Sequence, residues 1–375
     1  MPPRSTPRPP RLPLWKRALY SLVVVTALLG TTEAGLRLLF GPPPPPTVVY
    51  NAYRQHTSWF LEAGGEVRAA FVDLDPPAPF PAQTDQKRCA VLGGSSVHGG
   101  SPDIASTGEF PALIAAQVGF PVVNLGAPGL DSFDHRAMLA ELLRYPWSCL
   151  ILYGGHNDFG NTYFQSRYGS LSSGLQARAR AGLERFQLFA QLHRLLSPPE
   201  QSGERRGGMP TSTEGLIDET RWWAALRYLE ANTRSMLWMA KQTGVPVLVV
   251  SPVSDLQQSP GQRFCTGPDC AVDLYNQASR VYSSNPTEAA ALLRRARDLD
   301  RLPLRAPSAA QAALKRAAEE AGAIWVDAEA RLPQDSALPV PARSLFRDAV
   351  HFTTEGHAAM AKLLAPEVKQ MVGGS

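Results

Sequence analysis

Residues 89–99 read Cys-Ala-Val-Leu-Gly-Gly-Ser-Ser-Val-His-Gly, an apolar strand-like run that passes directly into a glycine-rich turn. In such a turn the Ser95 hydroxyl can stand clear of other side chains, and a backbone N–H can face an incoming carbonyl. Near the other end of the chain, Asp348 lies three residues before His351. That spacing suits one carboxylate orienting one histidine, as the acid and base of a triad require. The two stretches together predict a serine hydrolase site.

Two further strand-to-loop transitions fit the same chemistry. Gly129 ends the sequence Asn-Leu-Gly-Ala-Pro-Gly, which follows the strand-like Pro-Val-Val, and Asn157 lies in Gly-Gly-His-Asn-Asp after an apolar run at 149–153. Ligands of open parallel sheets bind at the carboxyl ends of the strands, so Ser95, Gly129 and Asn157 are expected to converge on one crevice. A glycine N–H and an asparagine amide are good donors to a developing oxyanion.

The body of the chain alternates strand and helix patterns. Strands are expected at 88–93, 122–124, 150–153, 245–251 and 323–327, separated by helices at 109–118, 132–143, 222–242 and 309–321 and followed by a closing helix at 354–371. Such a βα repeat predicts a parallel sheet with helices on both faces. The expected fold class is therefore α/β, a flavodoxin-like three-layer α/β/α sandwich.

The four blocks, in this order, resemble the SGNH (GDSL-type) hydrolase family. The family's Gly-Asp-Ser block, with a glycine four residues after the serine, corresponds to residues 93–99, and its second-block glycine to Gly129. Its Gly-x-Asn-Asp block corresponds to residues 155–158, and its Asp-x-x-His block to residues 348–351. The resemblance covers roughly residues 88–368, and the ordered set is much more specific than any single block.

This resemblance implies Ser95 as the nucleophile, His351 as the base and Asp348 as the carboxylate that orients it. It also implies that the Ser95 and Gly129 N–H groups and the Asn157 amide form the oxyanion hole. No metal and no other cofactor are expected.

The chain departs from the family at one position of the first block, since Gly94 stands where the family has an aspartate. That aspartate is not a triad member, so activity is still expected. The neighbouring Ser96 is the weaker candidate for the nucleophile, because the glycine spacing favours Ser95. A further likeness is to envelope-anchored bacterial members that carry Gly-His-Asn-Glu where this chain has Gly-His-Asn-Asp.

Other polar residues of the blocks are assigned supporting roles. His98 and His156 lack a carboxylate at triad spacing in a matching block, so they are expected to face the substrate or to support the catalytic residues. Asp158 is expected to hold loop geometry, and His357 to be an ordinary helix residue. Arg305 could bind a substrate oxygen, but a surface ion pair is the favoured interpretation.

The N-terminus predicts a membrane anchor. The formal net charge of +4 originates in five basic residues that have no acid among them, namely Arg4, Arg8, Arg11, Lys16 and Arg17. Residues 1–17 are thus expected to be a cytoplasmic tail, and residues 18–40 a single span that tolerates Glu33 and Arg37. A proline-rich linker at 41–51 follows. The alternative is a signal peptide cleaved at Thr32-Glu33-Ala34, which would yield a secreted protein.

The hydrolase-like domain is expected at 52–375, in the periplasm or outside the cell, with insertions at about 159–220 and 255–306. The insertions could wall the substrate site or merely decorate the surface. Cys265 and Cys270 lie in a short polar loop and suit a disulfide in an oxidising compartment. Cys89 and Cys149 occupy apolar strand-like runs and are expected to be buried free thiols. A zinc site is not expected, because no histidine pair accompanies the cysteines.

Composition and motifs limit the function classes. Without its basic N-terminus the chain offers no basic face for nucleic acid. The several His and Asp ligands of a metallophosphoesterase are missing. The favoured function is a serine esterase that acts on acyl or acetyl esters of a glycan or lipid. An O-acyltransferase of an envelope polysaccharide would use the same triad, and a catalytically silent envelope binding protein is opposed by the intact set of residues.

Overall fold

The computed structural model describes residues 13–40, 58–71, 78–99, 108–161, 183, 186–196, 217–262 and 265–373. The predicted proline-rich linker at 41–51 lies outside these residues, as do most of the basic tail and much of the first insertion. The chain forms two compact units. The smaller comprises Met1–Pro44 and Gly182–Pro199, and the larger comprises Pro45–Ala181 and Glu200–Ser375.

Eight strands form two sheets in the described part of the larger unit. They are β1 (Phe60–Ala63), β2 (Glu66–Ala69), β3 (Phe80–Pro81), β4 (Cys89–Gly93), β5 (Val122–Gly126), β6 (Cys149–Tyr153), β7 (Val247–Val250) and β8 (Ile324–Val326). The last five make one parallel sheet in the order β5-β4-β6-β7-β8. This is the flavodoxin-like order 2-1-3-4-5. The structure therefore confirms the predicted fold class.

The helices predicted at 109–118, 132–143, 222–242, 309–321 and 354–371 all form, with ends close to those positions. Those described are α1 (Leu14–Phe40), α2 (Ser95–His98), α3 (Phe110–Val118), α4 (Ser132–Leu142), α5 (His156–Gly160), α6 (Gln187–Leu196), α7 (Glu219–Gln242), α8 (Ala271–Val281), α9 (Pro286–Asp298), α10 (Ser308–Ala321), α11 (Ala328–Arg331) and α12 (Thr354–Gly373). The two short helices α2 and α5 follow β4 and β6 directly and carry two of the sequence blocks. Helices α1 and α6 belong to the smaller unit.

The parallel sheet separates two hydrophobic cores. Along β4, Ala90 and Leu92 point into one core with residues of α4, α7 and α10. The alternate residues Cys89 and Val91 point into the other with residues of α3 and α12. Side chains alternate across a strand, so a strand that is buried on both faces reads as a continuous apolar run. Because the strands are parallel, the loops that follow them all leave the sheet at its carboxyl edge.

The small antiparallel sheet β1–β3 was not predicted. It packs beside the first parallel strand, where the Arg88 guanidinium lies 5.0 Å from the Phe80 ring centroid and 4.5 Å from that of Trp147. The Trp59 N–H donates to the Glu141 carboxylate at 2.8 Å. These contacts attach the small sheet to the core of the larger unit.

Helix α1 is the described helix that is long and apolar enough to cross a membrane. Its candidate span, Trp15–Leu39, has a mean hydropathy of 1.6, and no residue of the most apolar stretch is buried. Length and composition alone fit either a membrane anchor or a signal peptide.

All four cysteines are paired. Cys265 bonds to Cys270, and Cys89 bonds to Cys149. The expectation that Cys89 and Cys149 are free thiols is therefore wrong. The two residues are direct register partners on the neighbouring strands β4 and β6, which brings their Cα atoms within 4.7 Å. Two disulfides favour an oxidising compartment for the larger unit.

The two disulfides should contribute unequally to stability. Cys89–Cys149 spans a sequence separation of 60 residues and Cys265–Cys270 one of 5. On loop-closure entropy, replacing both members of the first pair by alanine should cost about 4 kcal/mol, and replacing the second pair about 2 kcal/mol. Urea unfolding of the two double variants measures the difference. Equal losses, or a larger loss for the Cys265 pair, would contradict this expectation.

Candidate active site

The nucleophile candidate Ser95 opens helix α2, immediately beyond the end of β4. Its Oγ lies 2.7 Å from His351 Nε2. The same imidazole places Nδ1 2.8 Å and 2.7 Å from the two carboxylate oxygens of Asp348. Asp348 thereby holds the proton on Nδ1, which leaves Nε2 free to accept the Ser95 proton. The structure thus brings together three residues drawn from opposite ends of the chain.

The Asp348 carboxylate also builds the turn that carries the histidine. Its Oδ1 accepts the backbone N–H groups of Val350 at 3.0 Å and His351 at 2.9 Å. Partial burial raises the pKa of Asp348, but the hydrogen bonds from the His351 ring and from these two N–H groups outweigh it and lower the pKa to about 2. The carboxylate is therefore ionised throughout the neutral range.

Ser96 joins the nucleophile turn to the histidine turn. Its Oγ donates to the Val350 carbonyl at 2.9 Å, and the side chain is buried. The second insertion supports the same turn, because the Asp255 N–H donates to the Ala349 carbonyl at 3.0 Å. A buried, donating hydroxyl fits a positioning role for Ser96 and leaves Ser95 as the serine that faces the imidazole.

The oxyanion candidates lie on the loops that follow the two strands flanking β4. Gly129, after β5, adopts a φ of 74°, a left-handed conformation that favours glycine. Asn157, in α5 after β6, donates through Nδ2 to the Leu130 carbonyl at 2.7 Å. A Cβ on Gly94 would lie only 2.6 Å from that same Nδ2. The Asn157 amide thus lies directly against the backbone residue that precedes Ser95.

Asp158 and Asn161 hold the Gly129 loop in place. Asp158 is fully buried and accepts the Ser132 N–H at 3.2 Å, so it serves loop geometry and does not face a substrate. Asn161 donates to the Gly129 carbonyl at 2.9 Å and to Asp131 Oδ2 at 3.0 Å. Sequence reasoning missed Asn161. The available signal was its position four residues after Asn157, one helical turn along the same block.

Two histidines near the site are buried and neutral. The Ala306 N–H donates to His156 Nδ1 at 3.0 Å, and the Phe110 N–H donates to His357 Nδ1 at 3.1 Å. Burial lowers the pKa of His156 to about 3, and repulsion between its charged form and the charged forms of His351 and Arg297 adds to the effect. Burial likewise lowers the pKa of His357 to about 4, helped by Arg347 and His351. His156 therefore does not face the substrate, whereas His98 is half-buried at the end of α2.

Arg305 differs from both interpretations of the sequence, since it lies neither on the surface nor toward a substrate. Its side chain is 3% exposed and pairs with Asp300 at 3.7 Å. Its Nη1 donates to the carbonyls of Asp255 at 3.1 Å and Gln258 at 2.9 Å. The guanidinium therefore closes the ends of the second insertion onto each other. Among the described residues, no group of three or more His, Cys, Asp or Glu side chains is arranged to hold a metal ion.

Residues 91–359 match the model of the GDSL-like Lipase/Acylhydrolase family. Among solved structures, a GDSL-like lipase from Bacteroides thetaiotaomicron is similar at 13% identity, over 77% of this chain and 88% of that one, with a TM-score of 0.38. An acetyl-xylooligosaccharide esterase from Geobacillus Stearmophilus matches at 14% identity, over 76% and 95% of the two chains, with a TM-score of 0.39. A comparison with curated proteins gives no match.

The hydrogen bonds predict one tautomer for His156 and His357 and the other for His351. Nδ1 accepts in His156 and His357, so both should carry their proton on Nε2, whereas His351 should carry it on Nδ1. Their lowered pKa values mean that both His156 and His357 should stay neutral between pH 6 and 8. Long-range ¹H–¹⁵N spectra of the ring nitrogens test this directly. Titration of His156 near its ordinary value of 6.5 would contradict the structure.

Proposed function

Because the chain belongs to the GDSL-like lipase/acylhydrolase family and is an ester hydrolase, we propose that it cleaves carboxylic esters through a Ser95–His351–Asp348 triad and an acyl-enzyme. The observation that carries the proposal is the unbroken hydrogen-bond chain from Ser95 Oγ through the His351 ring to Asp348. This chain aligns a nucleophile, a base and an orienting carboxylate in the order that acyl transfer requires.

The reaction follows from these contacts. His351 Nε2 accepts the Ser95 proton as Oγ attacks the ester carbonyl, and the negative charge moves to the carbonyl oxygen. The Ser95 and Gly129 N–H groups and the Asn157 amide are the proposed donors to that oxyanion. The tetrahedral intermediate collapses, and the leaving alkoxide takes the proton from His351. Water then enters, gives a proton to His351 and attacks the acyl group. The second tetrahedral intermediate collapses with cleavage of the bond to Ser95 Oγ, which takes the proton back from His351 as the acid leaves.

The proposed setting is the cell envelope. We place α1 as an uncleaved span of the inner membrane, with the hydrolase domain in the periplasm or outside the cell. Support comes from the five basic residues before the apolar run and from the two disulfides of the larger unit. Acyl or acetyl esters of envelope glycans or lipids are the proposed substrate class.

Labelling of the nucleophile tests the mechanism. Mass spectrometry after incubation with activated esters should find the acyl group on Ser95, and Ser95→Ala should lower turnover by a factor on the order of 10⁶. Ser96→Ala is the matched control, since it removes the neighbouring hydroxyl and should still form the adduct. Adding sugar acceptors to the trapped acyl-enzyme separates hydrolysis from transfer. An adduct on Ser96, or near-native turnover of Ser95→Ala, would overturn the assignment.

A second test targets the Asn157 amide. Asn157→Ala should lower kcat by about 10²–10³ with little change in KM, because the amide acts on charge that exists only in the transition state.

Gly94→Ala should lower kcat by about tenfold to a hundredfold, because the added Cβ would displace the Asn157 amide. Gly160→Ala is the control and should leave kcat unchanged, since its added Cβ would meet its nearest atom at 3.6 Å.

The two effects should not add. In the Asn157→Ala background, Gly94→Ala should have little further effect on kcat, since the displaced group is already gone. Full additivity in this double-mutant cycle would show that the Cβ at residue 94 acts on something other than Asn157.

A further inference from the structure

Helix α1 carries one acidic side chain, Glu33. Its Oε1 accepts the Gln187 N–H at 2.8 Å, and its Oε2 accepts the Leu188 N–H at 2.8 Å. Arg37 Nε donates to the same carboxylate at 2.6 Å. The first N–H groups of a helix have no partner within the helix and favour a negative charge. Glu33 therefore caps the first turn of α6 and fastens it to α1.

The position of Glu33 along α1 matches a membrane boundary. Trp15, Lys16 and Arg17 lie at the start of the helix, an aromatic and basic group typical of the cytoplasmic interface. At 1.5 Å per residue, Glu33 lies about 27 Å further along the axis. The hydrocarbon core of a bilayer is about 30 Å thick. If Trp15 marks one interface, Glu33 and Arg37 reach the opposite one.

Helix α6 has the pattern of a helix that lies on a membrane. Leu188, Phe189 and Leu192 share one face by helical spacing, and Gln187 and Gln191 occupy the other. Gln187 is buried, whereas Leu192 is 46% exposed, so the apolar face is turned away from the capped side. The large side chains just before the helix, Leu183 and Phe186, are 47% and 50% exposed. A run of exposed apolar side chains of this kind marks an interaction surface.

We propose that α6 is an interfacial helix, embedded at the boundary between headgroups and acyl chains on the exported side of the membrane that α1 crosses. The occupant of its apolar face is lipid, because the Glu33 cap places the first turn of α6 at the level where the span ends. The inference rests on the proposed span and goes beyond the esterase activity. It also gives Glu33 a function that cleavage near Ala34 would destroy.

The consequence is a second attachment of the hydrolase domain to the bilayer. The chain segment that leads to α6 leaves the described part of the domain after Asn161, shortly beyond the block that carries Asn157. The domain is therefore tethered through its N-terminus and through the first insertion.

A single labelled cysteine tests the location of α6. All native cysteines are paired, so Leu192→Cys in the full-length protein offers one free thiol for a polarity-sensitive fluorophore. In phosphatidylcholine and phosphatidylglycerol vesicles, its emission should shift to the blue, be quenched by spin-labelled lipids and resist aqueous iodide. Leu61→Cys on β1 is the matched control, because that leucine is 45% exposed in the hydrolase domain. Its label should be quenched by iodide and not by spin-labelled lipid.

A second variant tests the cap. Glu33→Ala should lower the ratio of lipid-quenched to iodide-quenched Leu192 label about fivefold, the equivalent of losing a helix cap worth about 1 kcal/mol. Thr32→Ala, at the neighbouring exposed position of α1, keeps the carboxylate and its Arg37 contact and should leave the ratio unchanged. An iodide-accessible Leu192 label, or a Glu33→Ala variant with an unchanged ratio, would overturn the proposal.

Two controls separate the interfacial helix from the proposed span and from the proposed esterase activity. Loss of the protein from vesicles after a carbonate wash would overturn the span and the interfacial helix together. Ester hydrolysis, measured on the same vesicles, reports on the triad alone, since neither Leu192 nor Glu33 belongs to it.

Discussion

The common level at which β5, β4 and β6 end is the constraint on which the candidate site depends. Gly93 at the end of β4 is the register partner of both Gly126 and Tyr153. The loops after these three strands therefore emerge side by side, at the point where the strand order reverses. The strand register therefore brings Ser95, Gly129 and Asn157 together, although they lie far apart in the sequence. The disulfide between Cys89 and Cys149 ties the opposite ends of β4 and β6 in the same register.

Close packing then fixes the direction in which Ser95 leaves the sheet. The chain turns sharply after Gly93, and a Cβ at that position would lie 2.1 Å from Val97 Cγ2 and 2.5 Å from the Tyr153 carbonyl oxygen. Asn124 on β5 braces the turn from the side, because its Nδ2 donates to the Val97 carbonyl at 3.0 Å. The direction of Ser95 thus depends on two features: the lack of a side chain at Gly93, which permits the close packing, and the hydrogen bond from the Asn124 amide on the neighbouring strand.

The parts of the fold that depend on local sequence patterns were predicted from the sequence. The parts that depend on contacts between distant segments were not. The parallel strands and their helices could be predicted because each buried strand reads as one apolar run. The Cys89–Cys149 bond depends on which strands are neighbours and on their register. The sequence of each strand alone reveals neither. Arg305 follows a polar loop and reads as exposed, yet the Asp255 and Gln258 carbonyls and the Asp300 carboxylate enclose it. Strands β1–β3 were missed because each has at most four residues, too few for a clear alternation.

The buried histidines around the site help to explain why one imidazole alone suits the role of base. Protonation of His351 during the proposed reaction creates a positive charge, and any further positive charge nearby would oppose it. His156 and His357 are close enough for the charge on His351 to depress their pKa values, together with burial, which has the larger effect. Backbone N–H groups occupy Nδ1 of both rings and carboxylates do not. Burial outweighs the backbone of Val253 and the Asp348 charge, which favour the charged form of His156. The fold therefore surrounds the base with imidazoles that stay neutral, and it gives the one carboxylate at triad spacing to His351.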